Sequence, residues 1–483
     1  MKSLEKWQII SFLSRALAMS FGIIQSFVIL RILSVGEWGI IQLAVSVGAA
    51  LGIYQHLGLA SASNREIAAA ERKNDIFKVF FTTVTVRYLV TIPLSFGLFY
   101  FAPRISNAYG FEDMLLPLRI YSFVILIQGV QAILNSVISG TKRFKELFIF
   151  QGVIALASVL IYIPFVYFYN VIGFFYALLI HEIIKSITLF VIALKPYIKS
   201  VRLPTKKEYI TIFKELFTLG LSIYIVKILV INWEKAGANM LGFTQNAELV
   251  GIYSFALLYA KKLIHVSDAI TDVNLPVFSE KYVTNIGEFK KLFSTNFNRV
   301  FSMIVFFAMS AVFWAPELIK ILIGSNKYDS AIPLLMPMVF AFIFFSLINI
   351  IQSSVAIPAK LVKEMILGFF LLLLGTLGAF YGGRSFFDPI SSMAYAMLLG
   401  AGLAFIYLVY LLQNKLKFKI VDHSHVLLLI QGAVIASMAG IENFIIKAIA
   451  YIVFLLLYVW GLYIASFVTK GDFLFVKRKL MRK

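Results

Sequence analysis

Apolar runs of about one bilayer's length alternate along the whole chain with short polar stretches. A transmembrane helix needs about 20 apolar residues, and on that measure the pattern predicts fourteen helices. The predicted helices cover 9–33, 38–60, 77–101, 116–139, 147–169, 171–194, 213–232, 249–271, 297–323, 331–357, 361–381, 390–412, 424–441 and 444–468. No stretch between them is long enough for a separate extramembrane domain. The sequence therefore predicts an all-α polytopic membrane protein.

Composition excludes other classes of protein. The chain is 60% hydrophobic and 14% charged with a mean hydropathy of +0.89, values that soluble globular domains do not approach. Cysteine is absent, which excludes disulfides, thiolate metal sites and a cysteine nucleophile. The first apolar run lacks a small-residue cleavage site, so we interpret it as a retained span rather than a cleaved signal.

The net charge of +20 is best explained by topology. Most Lys and Arg lie in the termini and in alternate loops, which by the positive-inside rule are cytoplasmic. The opposite loops hold few basic residues, namely Arg31, Arg104, Lys235, Lys327, Arg384 and Lys447. Both termini are therefore predicted to be cytoplasmic. No basic patch is interleaved with stacking aromatics, so we expect no nucleic-acid partner.

An internal repeat relates the two halves of the chain at an offset of 212 residues. The offset maps Gly39 onto Gly251 and Arg87 onto Arg299, together with further matched Ala, Ile, Phe, Lys and Thr positions. Each copy holds six predicted helices, so the copies are parallel repeats about an axis along the membrane normal. We predict bundles at 1–200 and 201–415, then an extra helix pair with a basic cytoplasmic tail at 416–483.

Basic residues inside apolar runs are the first candidates for a binding site. Arg15 and Lys227 occupy equivalent places in the first and seventh predicted helices. A cation in hydrocarbon costs roughly 2.5–3.5 kcal/mol even on the lenient insertion scale, so such residues usually have a function. Arg15 is near enough to the surface to snorkel, whereas Lys227 is deeper. For Arg87 and Arg299, interface anchoring is the default and a basic rim that guides substrate is the alternative.

Two further groups combine basic and acidic side chains. Lys261, His265 and Asp268 lie on one face of the eighth predicted helix. Lys261 is interpreted as a cation that faces a cavity, and a structural ion pair is the alternative. In the sixth predicted helix, His181 lies one turn from Lys185, and Glu182 reaches Lys185 from three residues away. Imidazole and carboxylate at this depth suit proton or cation coupling, and a self-satisfied structural cluster is the alternative.

The architecture resembles a known family. The Arg15-bearing first helix, the turn from Arg31 to Gly39, the segment from Asn274 to Glu280 and the six-plus-six repeat with two added helices are similar to polysaccharide flippases. These are O-antigen and capsule transporters of the multidrug/oligosaccharidyl-lipid/polysaccharide exporter superfamily. The resemblance implies alternating-access transfer of a polyprenyl-diphosphate-linked oligosaccharide to the outer leaflet.

The resemblance also implies roles for residues. Arg15, Lys227, Lys261, Lys185, Arg87 and Arg299 are the candidate substrate-binding residues, because Arg and Lys replace the water and counterions of a diphosphate. Glu182, His181, Asp268 and His265 are the candidate ion-coupling residues. We expect no cofactor or metal, and H⁺ or Na⁺ as the coupling ion. The expected setting is a monomer in the cytoplasmic (inner) membrane, in contact with the lipid bilayer and working beside a polysaccharide polymerase and glycosyltransferases.

Two alternatives remain. A cation-coupled multidrug exporter of the same superfamily would favour acidic groups in its cavity, and here basic residues outnumber acidic ones within the predicted helices. A membrane glycosyltransferase or polymerase would need an extramembrane catalytic loop. The sequence has no such loop, no phosphate-binding glycine motif and no histidines at metal-ligand spacing. We therefore predict a transporter rather than an enzyme.

Overall fold

The computed structural model describes residues 2–71, 75–262, 278–465 and 467. These residues form helices joined by turns, and the described part of the chain contains no β-strand. Two compact units divide the chain, Met1–Ser254 and Phe255–Lys483. The predicted all-helical fold is confirmed for the described residues, while the predicted boundaries at 200 and 415 stay predictions.

The first unit contains seven α-helices and the start of an eighth. They are α1 (Lys2–Ile32), α2 (Val35–Gly52), α3 (Leu59–Glu71), α4 (Ile76–Tyr109), α5 (Leu115–Gly140), α6 (Phe144–Leu194), α7 (Lys206–Gly242) and α8 (Ala247–Lys261). Capping boxes fix the starts of α2 and α7. In α2 the Ser34 side chain accepts from the Glu37 backbone amide and the Glu37 side chain accepts from the Ser34 amide, and Thr205 and Glu208 form the same pair of bonds in α7. An apolar core of buried residues from α3, α4, α5 and α6 holds this part of the unit together.

Helix α6 is an antiparallel hairpin of two spans. Its geometry breaks at Asn170 (φ 49°, ψ −124°), a conformation that asparagine tolerates better than most residues. His181 Nε2 lies 3.3 Å from the Ile154 carbonyl oxygen, whereas 27 residues of continuous helix would separate them by about 40 Å. At the open end of the hairpin, Arg143 donates to the Ile192 and Ala193 carbonyls. The predicted spans 147–169 and 171–194 meet at this break.

Between α2 and α3 the second predicted span is discontinuous. A 3₁₀ turn over Ile53–Gln55 follows α2, and then Leu57 (φ 45°) and Gly58 (φ 68°) adopt left-handed backbone before α3 begins at Leu59. Left-handed leucine costs energy and persists only where the surroundings impose it. The sequence predicts one continuous helix over 38–60, so this break is a correction to that prediction.

Helices α2 and α8 cross at two glycines. A Cβ on Gly39 would overlap the Ala247 carbonyl, and a Cβ on Gly251 would overlap the Val35 carbonyl. Adding 212 to Gly39 and Val35 gives Gly251 and Ala247, so the contact is reciprocal between repeat-equivalent positions. Only glycine allows two backbones to approach this closely. A two-fold relation between the predicted repeats stays a prediction, and this reciprocal contact is consistent with it.

Seven further helices with defined bounds lie in the described part of the second unit. They are α9 (Ile286–Phe313), α10 (Ala315–Ile323), α11 (Ile332–Ile351), α12 (Val362–Gly383), α13 (Pro389–Leu416), α14 (His423–Ser437) and α15 (Phe444–Ile464). A π-helical turn at Gln352–Ala356 ends the run that begins with α11. Helices α12 and α13 pack closely because Gly400 lies directly against Leu372 and Thr376.

An ion pair attaches the last helix pair to this unit. Lys447 of α15 is completely buried, and its Nζ donates to both Glu317 carboxylate oxygens at 2.7 and 2.8 Å and to the Ala439 carbonyl at 2.7 Å. The ammonium also lies over the rings of Phe313 and Trp314. The sequence predicts Lys447 in an external loop, whereas the structure uses it to dock α15 on α9 and α10.

Within the described residues, ten helical segments are long and apolar enough to cross a membrane. One of these is the α6 hairpin, which supplies two of the predicted spans. The described chain is thus a multi-pass membrane protein, and the count of fourteen spans stays a prediction.

Candidate functional site

A buried arginine lies beside the break between α2 and α3. Arg87 of α4 has no exposed surface, and its Nη2 lies 3.2 Å from His56 Nδ1 in the break. The other guanidinium nitrogens, Nε and Nη1, have no hydrogen-bond partner among the described residues. Because the side chain is fully buried, it does not reach the lipid headgroups as an interface anchor would.

Lys227 of α7 completes a cationic cluster, which we define as His56, Arg87 and Lys227. Its ammonium lies within electrostatic range of both other members, and its side chain is exposed. One turn earlier on α7, the Tyr224 hydroxyl donates to the Tyr54 carbonyl oxygen at 3.0 Å and joins α7 to the break. Among the described residues, no carboxylate forms an ion pair with Arg87 or Lys227.

Polar contacts on both sides fix the conformation of the break. The Thr91 hydroxyl of α4 donates to Gln55 Oε1 at 3.1 Å, and Gln55 is buried. After the break, the Ser136 hydroxyl of α5 donates to the Ala60 carbonyl at 2.8 Å. Farther along α3, Ser63 donates to Thr83 of α4. The break is therefore held by α4 and α5 rather than left to adopt many conformations.

A second polar cluster lies between α5 and the α6 hairpin. Glu182 is 5% exposed and accepts from Gln131 Nε2 at 2.6 Å, while Lys185 Nζ lies 3.3 Å from the same carboxylate. His181 Nδ1 is 3.9 Å from Glu182, and Ser186 accepts from Gln131 at 2.8 Å. Glu182 and Lys185 are thus brought together as predicted, and their charges are satisfied by each other.

The remaining predicted site residues are Arg15, His265, Asp268, Lys261 and Arg299. Arg15 lies in α1, but its side chain is outside the described part of the structure, and so are His265 and Asp268. Lys261 is the last residue of α8, and Arg299 is exposed on α9. The structure therefore describes no contact for the proposed pairing of Arg15 with Lys227, which stays a prediction.

Three polar residues are not predicted from the sequence, namely His56, Gln131 and Glu234. The apolar pattern makes His56 an ordinary helix residue, although the following Leu-Gly pair at 57–58 is a turn signal. Gln131 carries no pattern that could distinguish it. Glu234 of α7 is 7% exposed and lies 3.3 Å from Lys235, and the predicted helix ends two residues before it.

The fold is shared with known membrane transporters. One similar structure is described as lipid II flippase MurJ in an inward closed conformation, with a TM-score of 0.71 and 14% identity over 96% of this chain and 99% of that one. Another is an inward-facing multidrug resistance MATE family transporter of the MOP superfamily, with a TM-score of 0.66 and 12% identity over 84% and 98%. A mutant of the Vibrio cholerae MATE transporter VcmN gives 0.59 and 13% over 86% and 98%. No curated protein sequence matches significantly.

The helices and these similarities define a multi-pass membrane protein with the MurJ and MATE fold. At identities this low, the structural similarities show the fold alone. The sequence is more specific, since residues 28–333 match the family described as "Polysaccharide biosynthesis protein". The match covers more than half of the chain, and the protein belongs to that family.

Proposed function

We propose that the protein flips a polyprenyl-diphosphate-linked oligosaccharide from the cytoplasmic to the outer leaflet by alternating access. The observation that best supports this proposal is the cationic cluster. In it, Arg87 is buried, and Lys227 is exposed without an ion pair to any described carboxylate. Cations held this way in a membrane protein need an anion to offset their desolvation. A diphosphate supplies that charge, and Lys and Arg are suited to bind it.

The family and the fold support the same function. Membership of a polysaccharide biosynthesis family points to a sugar-containing cargo, and a MurJ and MATE fold points to transport rather than enzymatic chemistry. The proposal retains a cytoplasmic (inner) membrane location, cytoplasmic termini, and Arg15, Lys261 and Arg299 as further cavity residues. Polymerase and glycosyltransferase partners would act on the product and precursor of the flipping step.

Energy for a directed cycle could come from H⁺ or Na⁺, and the described residues supply one compact candidate site. Glu182 is buried with His181 and Lys185 beside it. Glu182 accepts from Gln131 and lies 3.3 Å from Lys185, so an ion bound at this carboxylate would compete with both contacts. His265 and Asp268 remain proposed coupling residues on sequence grounds alone.

A multidrug exporter is the second candidate function. Buried Glu182 and Glu234 would be the acidic groups for a cationic drug. Each lies close to a lysine, at 3.3 Å from Lys185 and Lys235 respectively. Since both carboxylates already have a positive partner, the described residues favour an anionic cargo.

The test is delivery of lipid-linked sugar to the outer leaflet by Arg15→Ala and Lys227→Ala proteins that still insert and accumulate. We expect each substitution to stop delivery, and Lys206→Gln, which removes a positive charge at the start of α7, to leave it intact. Full delivery by the Arg15→Ala/Lys227→Ala double variant would refute the cationic cargo site. Cells expressing these variants should accumulate lipid-linked repeat units on the cytoplasmic side.

A further inference from the structure

The connector between α6 and α7 exposes large apolar side chains although it joins two predicted spans outside the hydrocarbon. We define the connector as residues 195–205, with a 3₁₀ turn over Lys195–Ser200 and irregular backbone after it. Ile198 is 63% exposed, Val201 48% and Leu203 62%. Since burying such side chains is favourable, three of them exposed so close together indicate a surface that another apolar phase covers.

The connector is also basic. Lys195, Lys199 and Arg202 are exposed and interleaved with the apolar side chains, and positions 183–207 contain no Asp or Glu. The next acidic residue, Glu208, lies 2.8 Å from the Lys78 ammonium. None of the three connector cations forms an ion pair with another described residue. Apolar side chains combined with uncompensated positive charge are typical of segments that lie on an anionic membrane surface.

The connector begins where α6 leaves the bilayer. The exposed face of the last turns of α6 is apolar, with Ile187, Phe190 and Val191, as expected for a helix face in contact with lipid. Ile198 follows the end of α6 at Leu194 by four residues, which is at most about 8 Å along a 3₁₀ helix. The headgroup layer on each side of the hydrocarbon is roughly 5–8 Å thick. Ile198 is therefore within reach of the membrane surface.

The protein holds one side of the connector and leaves the other side uncovered. Tyr197 packs against the apolar core of α3, α4, α5 and α6, whereas the neighbouring Ile198 is exposed. Pro196 and Pro204 fix the φ angle near both ends of the connector, and Thr205 caps the start of α7. A segment restrained in this way loses little conformational entropy when its exposed side chains insert into a membrane.

We infer that the connector binds the cytoplasmic leaflet, with its three apolar side chains inserted at the boundary of the lipid chains and its three basic side chains on the phosphates of anionic phospholipids. Charge selects this occupant, because cytoplasmic leaflets carry a negative surface potential. The C-terminal stretch 470–483 is itself basic, so it is repelled as a cover for the connector. The predicted boundary between the two bundles falls inside the connector, and bound lipids would hold this link at the membrane surface.

The test places a single dye on the connector. The chain has no cysteine, so Val201→Cys labels one site with an environment-sensitive dye in the full chain. In nanodiscs of phosphatidylcholine, we expect blue-shifted emission and quenching by nitroxide-labelled lipid, and both should increase when phosphatidylglycerol is added. Val283→Cys is the matched control, because Val283 is 83% exposed close to the ion pair between Lys281 and Glu288. Its dye should report water in both membranes.

Two double variants separate the contributions of charge and apolar insertion. Lys199→Gln/Arg202→Gln should remove most of the response to phosphatidylglycerol. Each basic residue near an anionic surface favours the bound state about fivefold, so this variant should shift the equilibrium about 25-fold toward water. Ile198→Ser/Leu203→Ser should move the dye into water even with phosphatidylglycerol present. All four positions are exposed, so the fold should be kept, and size-exclusion chromatography checks this.

Three results would overturn the proposal. A dye at position 201 that reports water in both membranes would show that the connector does not contact lipid. Quenching of equal strength with and without phosphatidylglycerol would show that anionic lipid is not recognised. A shielded dye that nitroxide-labelled lipid does not quench would show that protein rather than lipid covers the connector.

Discussion

The buried ion pair between Lys447 and Glu317 allows a prediction of the order in which variants lose stability. Lys447 has no exposed surface, whereas the Glu317 side chain is 31% exposed. Glu317→Gln therefore leaves an ammonium that water cannot reach, held by the Ala439 carbonyl, an amide oxygen and ring faces. Losing one partner of a buried pair costs roughly 3–5 kcal/mol, and partial exposure of the carboxylate places Glu317→Gln near the lower end, at about 3 kcal/mol.

Lys447→Met should cost less, about 1–2 kcal/mol, because the methionine fills the same space and Glu317 can hydrate through its exposed surface. The double variant should be close to Lys447→Met alone, since the unpaired ammonium is gone.

The order of stability can be measured as the melting temperature of each full-length variant in detergent, by fluorescence-detected size exclusion after heating. Glu442→Gln is the control, because it makes the same carboxylate-to-amide change at an exposed position in the turn before α15. A lower melting temperature for Lys447→Met than for Glu317→Gln would show that the ammonium is not desolvated as described.

Three further predictions concern the first unit. Gly173→Val should destabilise the α6 hairpin because its Cβ would overlap the Phe165 carbonyl, whereas Gly152→Val, with open space around it, should melt like the wild type. Gln131→Leu removes the 2.6 Å hydrogen bond to buried Glu182 and should lower the melting temperature, because a buried carboxylate loses one of its donors; an unchanged melting temperature would contradict this role. Hydrogen bonds from Lys78 and from Thr205 lower the pKa of Glu208 to about 2. The stability that Glu208 adds relative to Glu208→Gln should be complete above its ordinary pKa of 4.5 and disappear as pH falls toward 2, and loss already at pH 6 would exclude this ion pair as its source.

The α6 hairpin follows from the sequence because hydrocarbon thickness limits helix length. An apolar stretch from 147 to 194 is too long for one span, so the chain must reverse near its middle, and it does so at Asn170. Helix ends are predicted less well. Helix α7 begins at Lys206 rather than 213 and ends at Gly242 rather than 232, because its polar ends are good helix formers that a hydropathy window ignores.

The candidate site is only partly predictable, because burial of a charge depends on contacts between distant segments. The sequence marks Arg87 and Lys227 as basic residues within apolar runs. It cannot show that His56, 31 residues before Arg87, lies against the guanidinium, or that the second helix breaks there. Hydropathy across 38–60 is continuous, and the break depends on Thr91 and Ser136, which belong to other helices.

The reciprocal glycine contact between α2 and α8 bears on the origin of the chain. Gly39 meets Ala247 just as Gly251 meets Val35. In separate, identical half-length chains, the same four positions would form a self-complementary interface between two subunits. On the predicted 212-residue repeat, fusion of two such chains would make this subunit contact internal. A glycine kept on both sides would then preserve the former dimer interface within a single polypeptide.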